Sequence, residues 1–289
     1  MIKKTIKIFA TPNTSQILSF HNRFFIDEEY DFVYTTDIRH CDVLVVFAEG
    51  GWNNIRFDTD APTRICFTGE PSAIYSYSPL FFNQFTDVVT SQSVDDVDDC
   101  VKIHKYCQAL NYLVGYDRNR NVFLPDEAIK TFFNRNKTKL ISAICSDKAY
   151  TEYHRKRREF LYRLKNDIPE LELFGSMTGH VMPIKDDALR EYKYTIAIEN
   201  CRIDDYWTEK IADPIYSLTQ PIYCGCRNIE RYFDGIRVID IDDYEASLYT
   251  IKNTINGVYD IKELEERRDL MLTKYSFHNI ISDILNELI

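Results

Sequence analysis

Several common signatures are missing from this sequence of 289 residues. It has no GxGxxG turn, no GxxxxGK[ST] loop, no GxSxG and no HExxH, which disfavours ordinary dinucleotide-binding, P-loop, α/β-hydrolase and zincin-type sites. No stretch approaches the ~20 apolar residues of a membrane-spanning helix. The segment before Thr11 predicts neither a signal peptide nor a membrane anchor. We therefore expect a soluble, cytoplasmic protein.

Metal-binding patterns are also scarce. The eight cysteines include no CxxC pair, and the single residue between Cys224 and Cys226 is too short a spacing for a structural zinc site. Three DxD triplets begin at Asp58, Asp96 and Asp240, but chance explains them in a chain so rich in aspartate, and Mg²⁺ is usually held by carboxylates together with phosphate. We expect reduced, mostly buried thiols and no metal site.

Charge is unevenly distributed along the chain. The net charge is -10, yet residues 131–170 hold 10 basic and 5 acidic side chains. The acidic total disfavours a protein that coats nucleic acid. The basic stretch is typical of a solvated helix face or of an anion site, and nucleic-acid binding through residues 154–158 is a weaker alternative.

Two series of alternating strands and helices predict an α/β protein with two Rossmann-like domains facing a cleft, 1–134 and 135–289. The predicted strands are Thr5–Phe9, Asp31–Thr35, Val43–Phe47, Arg64–Phe67, Asp87–Thr90, Lys139–Cys145, Leu171–Phe174, Tyr194–Ile198, Gln220–Tyr223 and Val238–Ile241. The predicted helices include Ser15–Phe25, Val97–Tyr112, 150–166 and 208–217. Ligands of such folds bind beyond the carboxyl ends of the strands.

The most informative segment is 192–211, where a buried strand leads into an acidic, aromatic loop and then a helix. Asp205 or Thr208 can cap that helix, whose amino terminus would attract an anion. Lys210 falls in the first helical turn, where a cation is unfavourable unless an anion accompanies it. This position favours a functional lysine.

Specific motifs strengthen that interpretation. Segments 197–200, 205–211 and 220–225 have the sequences AIEN, DYWTEKI and QPIYCG. They resemble the donor-binding signature of the family-10 fucosyltransferases, with its FEN or IEN strand end, YVTEK helix start and P-[IV]-[VY]-x-G strand. The similarity extends over roughly 139–250, and CFTGEP at 66–71 resembles the family's Y/F-T-G-E segment. Trp207 replaces the usual valine.

The resemblance implies two Rossmann-like domains in the GT-B arrangement, the first on the acceptor side with the catalytic base and the second binding the nucleotide sugar. It also implies inverting transfer from GDP-fucose, with no metal or other cofactor required. Inverting displacement needs a carboxylate that takes the acceptor hydroxyl's proton and donors that stabilise the departing diphosphate. By the resemblance Glu70 is the base, and a loop carboxylate before a proline turn is the alternative.

The resemblance also implies the donor site. Lys210 matches the diphosphate lysine, and among the basic residues of the 150–166 helix it favours Arg158 as the phosphate-binding arginine, with Arg157 and Arg155 as alternatives. The further donor-binding candidates are Asn200, Tyr206, Glu209 for the ribose, Phe67 and His180. Trp52 is a candidate for stacking on the acceptor sugar.

We therefore expect a bacterial or viral-type enzyme that transfers L-fucose to a hydroxyl of a GlcNAc- or Glc-type glycan, on lipopolysaccharide or another glycan precursor. Its partners would be the nucleotide sugar and the glycan, with no nucleic acid, no membrane span and at most peripheral contact with a lipid-linked acceptor. A transferase using another nucleotide sugar and a noncatalytic glycan- or anion-binding protein are the alternatives.

Overall fold

The chain forms two compact units in a computed structural model that describes residues 3–11, 29–48, 50–105, 115–117, 119–120, 122–124 and 135–287. The first unit comprises Met1–Leu110 and Met271–Ile289, and the second is Asn111–Leu270. The sequence predicts a single boundary after residue 134. The structure instead returns the last 19 residues to the first unit.

The first unit is built on a six-stranded sheet in which every strand pair is parallel. Its order is β2-β1-β3-β4-β5-β6, and the side chains of β3 are almost all buried because parallel sheets are covered on both faces. The elements are β1 (Lys4–Ala10), β2 (Tyr30–Tyr34), β3 (Val43–Ala48), β4 (Thr63–Thr68), α1 (Pro79–Phe82), β5 (Asp87–Val89) and β6 (Lys102–His104).

One predicted helix of this unit is wrong in its described part. The sequence predicts a helix over Val97–Tyr112, but Lys102–His104 is an edge strand paired with β5. The pairing is reinforced by His104, whose Nε2 lies 2.8 Å from the Asp87 carboxylate. Short apolar segments suit a strand or a helix, so tertiary pairing decides between them. Residues 106–112 and the predicted helix Ser15–Phe25 lie outside the described residues.

The carboxyl-terminal helix α6 (Phe277–Glu287) completes the first unit. The Phe277 ring lies 4.5 Å from that of Phe67 and 6.1 Å from that of Phe47. The next residue, His278, is fully buried, with Nε2 2.6 Å from the hydroxyl of Tyr34. These aromatic contacts explain why the end of the chain packs with its beginning.

Burial of His278 predicts loss of stability in acid. Burial lowers its pKa to about 4, whereas a histidine in the unfolded chain titrates near 6.5. Between these values the unfolded state binds more protons, so stability falls as the pH drops from about 6.5 towards 4. Urea unfolding at pH 7 and pH 5 measures the loss. His278→Gln should show a smaller difference between the two pH values, and an equal difference would contradict this origin.

The second unit has a five-stranded parallel sheet of order β10-β9-β11-β12-β13. Its strands are β9 (Lys139–Ile144), β10 (Leu171–Phe174), β11 (Tyr192–Ile198), β12 (Gln220–Cys224) and β13 (Arg237–Val238), preceded by a hairpin of β7 (Tyr116–Asp117) and β8 (Val122–Phe123). Its helices are α2 (Glu152–Asp167), α3 (Glu209–Tyr216), α4 (Tyr244–Ile255) and the start of α5 (Ile261–Lys274). The predicted strands are confirmed, except that the last begins at Arg237 and ends at Val238.

This strand order fixes where a ligand can bind. β10 and β11 lie on opposite sides of β9, so the chain changes direction across the sheet between β9 and β11. Loops diverge at such a switch point and leave a crevice beyond the carboxyl ends of the two strands. Side chains at the ends of β9 and β11 are therefore the first place to look for a site.

Neither a membrane span nor a disulfide appears in the parts of the chain that the structure describes. None of the helices there is both long enough and apolar enough to cross a bilayer. The seven described cysteines are free thiols, six of them buried and Cys100 exposed.

Candidate functional site

The amino terminus of α2 directs a basic side chain into the second unit. Thr151 caps the helix by accepting a hydrogen bond from the backbone N–H of His154, and the His154 ring accepts one from the N–H of Thr151. This capping box fixes the helix start. The buried face then contains His154, Arg157, Phe160, Leu161 and Leu164, so the arginine follows the apolar stripe inward.

Arg157 reaches the carboxyl end of β11. Its Nη1 lies 3.0 Å from Oδ1 of Asn200 and 3.4–3.5 Å from the carbonyl oxygens of Ile198 and Glu199. Its Nε is buried and makes no hydrogen bond with any described residue. All of these acceptors are neutral, so the guanidinium charge, 4% exposed, is not cancelled by a carboxylate bound to it. A buried cation of this kind is a strong anion ligand.

The other two candidate arginines lie elsewhere on α2. Arg158 donates to the carbonyl oxygen of Asp147 at 3.1 Å, and exposed Arg155 donates to that of Ala149 at 3.0 Å. Both bonds hold the loop before the helix. The structure thus brings Arg157, and not the favoured Arg158, to Asn200.

Glu199 is the buried carboxylate that joins β11 to α3. It is fully buried, and its two oxygens accept hydrogen bonds from the backbone N–H and the hydroxyl of Thr208 at 2.7 and 2.6 Å. Burial raises the pKa of Glu199, and the charge of Lys210 and the Thr208 bonds oppose that rise. The carboxylate therefore fixes Thr208, the residue that caps α3.

Gly225 leaves the space that Glu199 occupies. A Cβ at this position would lie 2.3 Å from Glu199 Cγ and 2.6 Å from the Tyr223 hydroxyl. We expect Gly225→Ala to destabilise the protein by about 1–3 kcal/mol, as overpacking of a core does, and thermal unfolding measures it. Gly50→Ala is the matched control, because its Cβ would make only ordinary contact with Tyr75 at 3.6 Å. Equal melting temperatures for the two variants would contradict the expectation.

Lys210 lies in the first turn of α3, as the sequence predicts, and is paired there. Its Nζ lies 3.1 Å from Thr208 Oγ1, 3.3 Å from Glu209 Oε1 and 3.5 Å from Glu199 Oε2. Burial disfavours the ammonium, but the two glutamates outweigh it and raise the pKa of Lys210. The lysine is therefore a permanent cation beside Glu199 and Glu209.

Glu209 is held by two cations, one of which sequence reasoning missed. Lys185, from the loop before β11, lies 3.3 Å from Glu209 Oε1 and 3.3 Å from Asp213 Oδ2. Burial alone would raise the pKa of Glu209, but Lys185 and Lys210 hold it well below its usual range. Lys185 belongs to a polar loop with no motif, so no sequence signal connects it with α3.

The loop between β11 and α3 has a fixed conformation. Asp205 has φ 59, the left-handed region that a few aspartates and asparagines tolerate. Its carboxylate accepts hydrogen bonds from Asn228 Nδ2 at 2.9 Å and from the Tyr232 hydroxyl at 2.6 Å. Tyr206, which follows, is 1% exposed. The buried position leaves little of its ring for a ligand to touch.

Three other candidates have packing roles. Phe67 is fully buried against Phe277, so its ring is part of the first unit's core. Trp52 is half-buried and its ring lies 6.3 Å from that of Phe57. His180 is exposed, and its ring lies 5.0 Å from that of Phe174 in a tilted arrangement. Its carbonyl oxygen accepts a hydrogen bond from the backbone N–H of Gly175, which closes the loop after β10. Packing in the core accounts for the burial of Phe67 without any contact to a ligand.

Glu70 follows β4 of the first unit in a loop that buried Gln92 supports. The Gln92 amide donates to the carbonyl oxygens of Glu70 at 2.6 Å and Tyr75 at 2.8 Å. Gly69 permits the turn, because a Cβ there would lie 2.7 Å from the Phe47 ring. Glu70 itself is half-buried. In the described ranges no group of three histidine, cysteine or acidic residues could hold a metal ion.

Comparison with known proteins agrees with the resemblance found in the sequence. Residues 134–258 match the model of the glycosyltransferase family 10 (fucosyltransferase) C-terminal region. An alpha-(1,3)-fucosyltransferase of Helicobacter pylori is 30% identical over 91 residues, which are 30% of this chain and 19% of that protein. The match thus spans about a fifth of the relative's length.

Two solved structures have the same fold. The crystal structure of an alpha1,3-fucosyltransferase superposes with a TM-score of 0.55 at 18% identity, covering 92% of this chain and 82% of that one. An alpha1,3-fucosyltransferase with GDP-fucose gives 0.53 at 18% identity, covering 93% and 82%. The predicted class of two Rossmann-like domains, as in GT-B glycosyltransferases, is confirmed. Over residues 134–258 the chain is therefore similar to the C-terminal region of glycosyltransferase family 10, the fucosyltransferases.

Proposed function

We propose that the protein is an inverting glycosyltransferase that moves L-fucose from GDP-fucose to a hydroxyl of a GlcNAc- or Glc-type glycan. The observation that carries this proposal is the cluster of Arg157, Asn200 and Lys210 in a domain of the fucosyltransferase family. The cluster combines cations and an amide where strand order predicts a ligand. A diphosphate is the ligand that such a group suits best.

The two cations would share the work of binding phosphate. The positive charge of Lys210 is already compensated by Glu199 and Glu209, at 3.5 and 3.3 Å. The lysine therefore contributes mainly a positioned hydrogen-bond donor. Arg157 is bound only to neutral acceptors among the described residues and retains its charge for the leaving group. Preorganised donors of this kind stabilise charge as it develops in the transition state. In this proposal they take the place of a metal ion.

Asn200 and Glu209 would recognise the remainder of the donor. Asn200 accepts from Arg157 through Oδ1, which leaves its Nδ2 as a donor towards the ligand. Glu209 is ionised and can only accept hydrogen bonds, and ribose hydroxyls are donors that fit it. Tyr206 would act mainly by shaping the loop between β11 and α3, because it is buried.

Glu70 would be the general base. It removes the proton of the acceptor hydroxyl as that oxygen attacks the anomeric carbon of fucose, and the bond from that carbon to the diphosphate oxygen breaks. GDP leaves with the electron pair, and the configuration at the carbon inverts. A single carboxylate suffices because the leaving diphosphate needs charge stabilisation more than a proton.

The acceptor and the cellular setting belong to the same proposal. We infer that the enzyme works in the cytoplasm on lipopolysaccharide or another glycan precursor, with peripheral contact to a lipid-linked acceptor. Trp52 would contribute to acceptor binding with the part of its ring that packing leaves exposed. An array of GlcNAc- and Glc-terminated oligosaccharides, offered with GDP-fucose, measures which hydroxyl is used.

Donor turnover tests the proposal. The protein is incubated with GDP-fucose, GDP-mannose, UDP-glucose and UDP-galactose, and release of the nucleoside diphosphate is measured. We expect turnover with GDP-fucose above the other donors. Turnover of another donor alone would show that the protein transfers a different sugar with the same fold. Binding of GDP without any turnover, with or without acceptors, would indicate a noncatalytic binding protein.

A further inference from the structure

We propose that Lys185 is a positioning residue that reserves one oxygen of Glu209 for the ribose of the donor, and so makes the site selective for ribose over deoxyribose. This inference rests on the proposed function. Lys185 lies outside the segments that resemble the family's motifs.

The contacts of Glu209 are one-sided. Lys185 and Lys210 both bind Oε1, each at 3.3 Å. The Thr208 hydroxyl also stabilises the carboxylate, and the Glu209 side chain is 20% exposed. One oxygen thus anchors the carboxylate, and the other remains available to a ligand.

Lys185 also removes a conflict within α3. Glu209 and Asp213 are four residues apart, so their carboxylates lie on the same face of the helix and repel each other. Asp213 is 2% exposed, which removes the water that would screen this repulsion. The Lys185 ammonium lies 3.3 Å from a carboxylate oxygen of each. It therefore holds Glu209 in place by compensating both charges.

The location of Lys185 suits this role. It begins the single turn of 3-10 helix Lys185–Ala188, in the segment that connects β10 with β11. The side chain is 11% exposed and belongs to a different element from the two acids it binds. Lys185 thus links this segment to α3 through both acids.

The chemical consequence is a site that accepts hydrogen bonds from the ligand and does not donate them. An ionised carboxylate oxygen suits two vicinal hydroxyls, both of which can donate to it. Removing one of them, as in a 2′-deoxynucleotide, loses a hydrogen bond to a charged group, which lowers affinity by about tenfold or more. Without Lys185, Glu209 would keep only Lys210 as a cationic partner among the described residues and be repelled by Asp213, so the preference would weaken.

Calorimetric titration with GDP and 2′-deoxy-GDP tests this inference. The wild-type protein should bind GDP about tenfold more tightly than 2′-deoxy-GDP. Lys185→Met should lose most of that ratio by weakening GDP binding, while the affinity for 2′-deoxy-GDP changes much less. Lys185→Arg should retain the preference, and Lys262→Met, which removes an exposed lysine of α5, should leave both affinities unchanged.

The outcomes separate the inference from the proposed function. If Lys185→Met weakens the binding of GDP and 2′-deoxy-GDP equally, or leaves the ratio of their affinities unchanged, only the role of Lys185 is overturned. Wild-type protein that binds both equally would overturn the ribose role of Glu209 and this inference with it, and protein that binds neither would overturn the proposed function. If Lys185→Met does not fold, adding Asp213→Asn removes the repulsion between the acids and allows the same titrations.

Discussion

Glu70→Gln is expected to lower the rate of fucosyl transfer by about 10²–10⁴-fold, the usual contribution of a general base, and to leave GDP affinity unchanged. The amide is nearly isosteric with the carboxylate but cannot take up the acceptor proton. The backbone of residue 70 is held through Gln92, so the loop conformation should survive the substitution. Transfer is measured with GDP-fucose and the best acceptor of the array, and GDP binding by calorimetry.

A second acid of the same unit supplies the control. Glu29 precedes β2 at a described, exposed position, and Glu29→Gln removes the same charge from the first unit. This variant should transfer fucose at the wild-type rate. If Glu70→Gln also transfers at that rate, Glu70 is not the base. If both transfer and GDP binding fail together, the substitution has disturbed the fold instead.

Arg157→Met is expected to weaken GDP binding by about 10–100-fold, the effect of losing hydrogen bonds between a charged donor and phosphate. The side chain is the buried cation nearest to Asn200 on α2. Removing it deletes positive charge from a place where water cannot replace it. The dissociation constant of GDP, measured by calorimetry at fixed salt, gives the effect.

The adjacent arginine makes a sharp control for this effect. Arg158→Met changes the same residue type one position further along α2, but its Nη1 binds a loop carbonyl, so GDP affinity should change little. Arg157→Lys should recover part of the affinity, because it keeps the positive charge but loses the planar guanidinium group that can bind phosphate through two N–H groups. Loss of binding in Arg158→Met and none in Arg157→Met would reverse the assignment and restore the arginine that the resemblance favours.

The sequence alone predicts most of the secondary structure of the second unit. Its strands are continuous apolar segments, and Thr208, Glu209 and Lys210 mark a helix start by type and order. The position of Lys210 in the first helical turn indicates an electrostatic partner, and its partners among the described residues are two glutamates of the protein itself. A functional role for Lys210 stays a prediction. Periodicity also places Arg157 on the buried face of α2, but a motif alignment cannot separate adjacent arginines.

What the sequence could not supply depends on contacts between distant residues. Lys185 and Glu209 are 24 positions apart, in a loop and a helix that no shared motif connects. Phe67 lies near the end of β4, within the segment that resembles a family motif, yet its ring packs on Phe277, 210 positions later. The strand at Lys102–His104 exists because β5 offers it an edge. Local patterns do not contain that information.

The return of α6 to the first unit has a consequence for the order in which the protein folds as it is made. The second unit is one continuous segment, Asn111–Leu270, whereas the first lacks Phe277 and His278 until the residues after the second unit are synthesised. Domains fold as units during synthesis. We therefore expect the second unit to reach its native state before the first, although it is encoded later, and the apolar surface under α6 to remain uncovered until α6 itself has been synthesised.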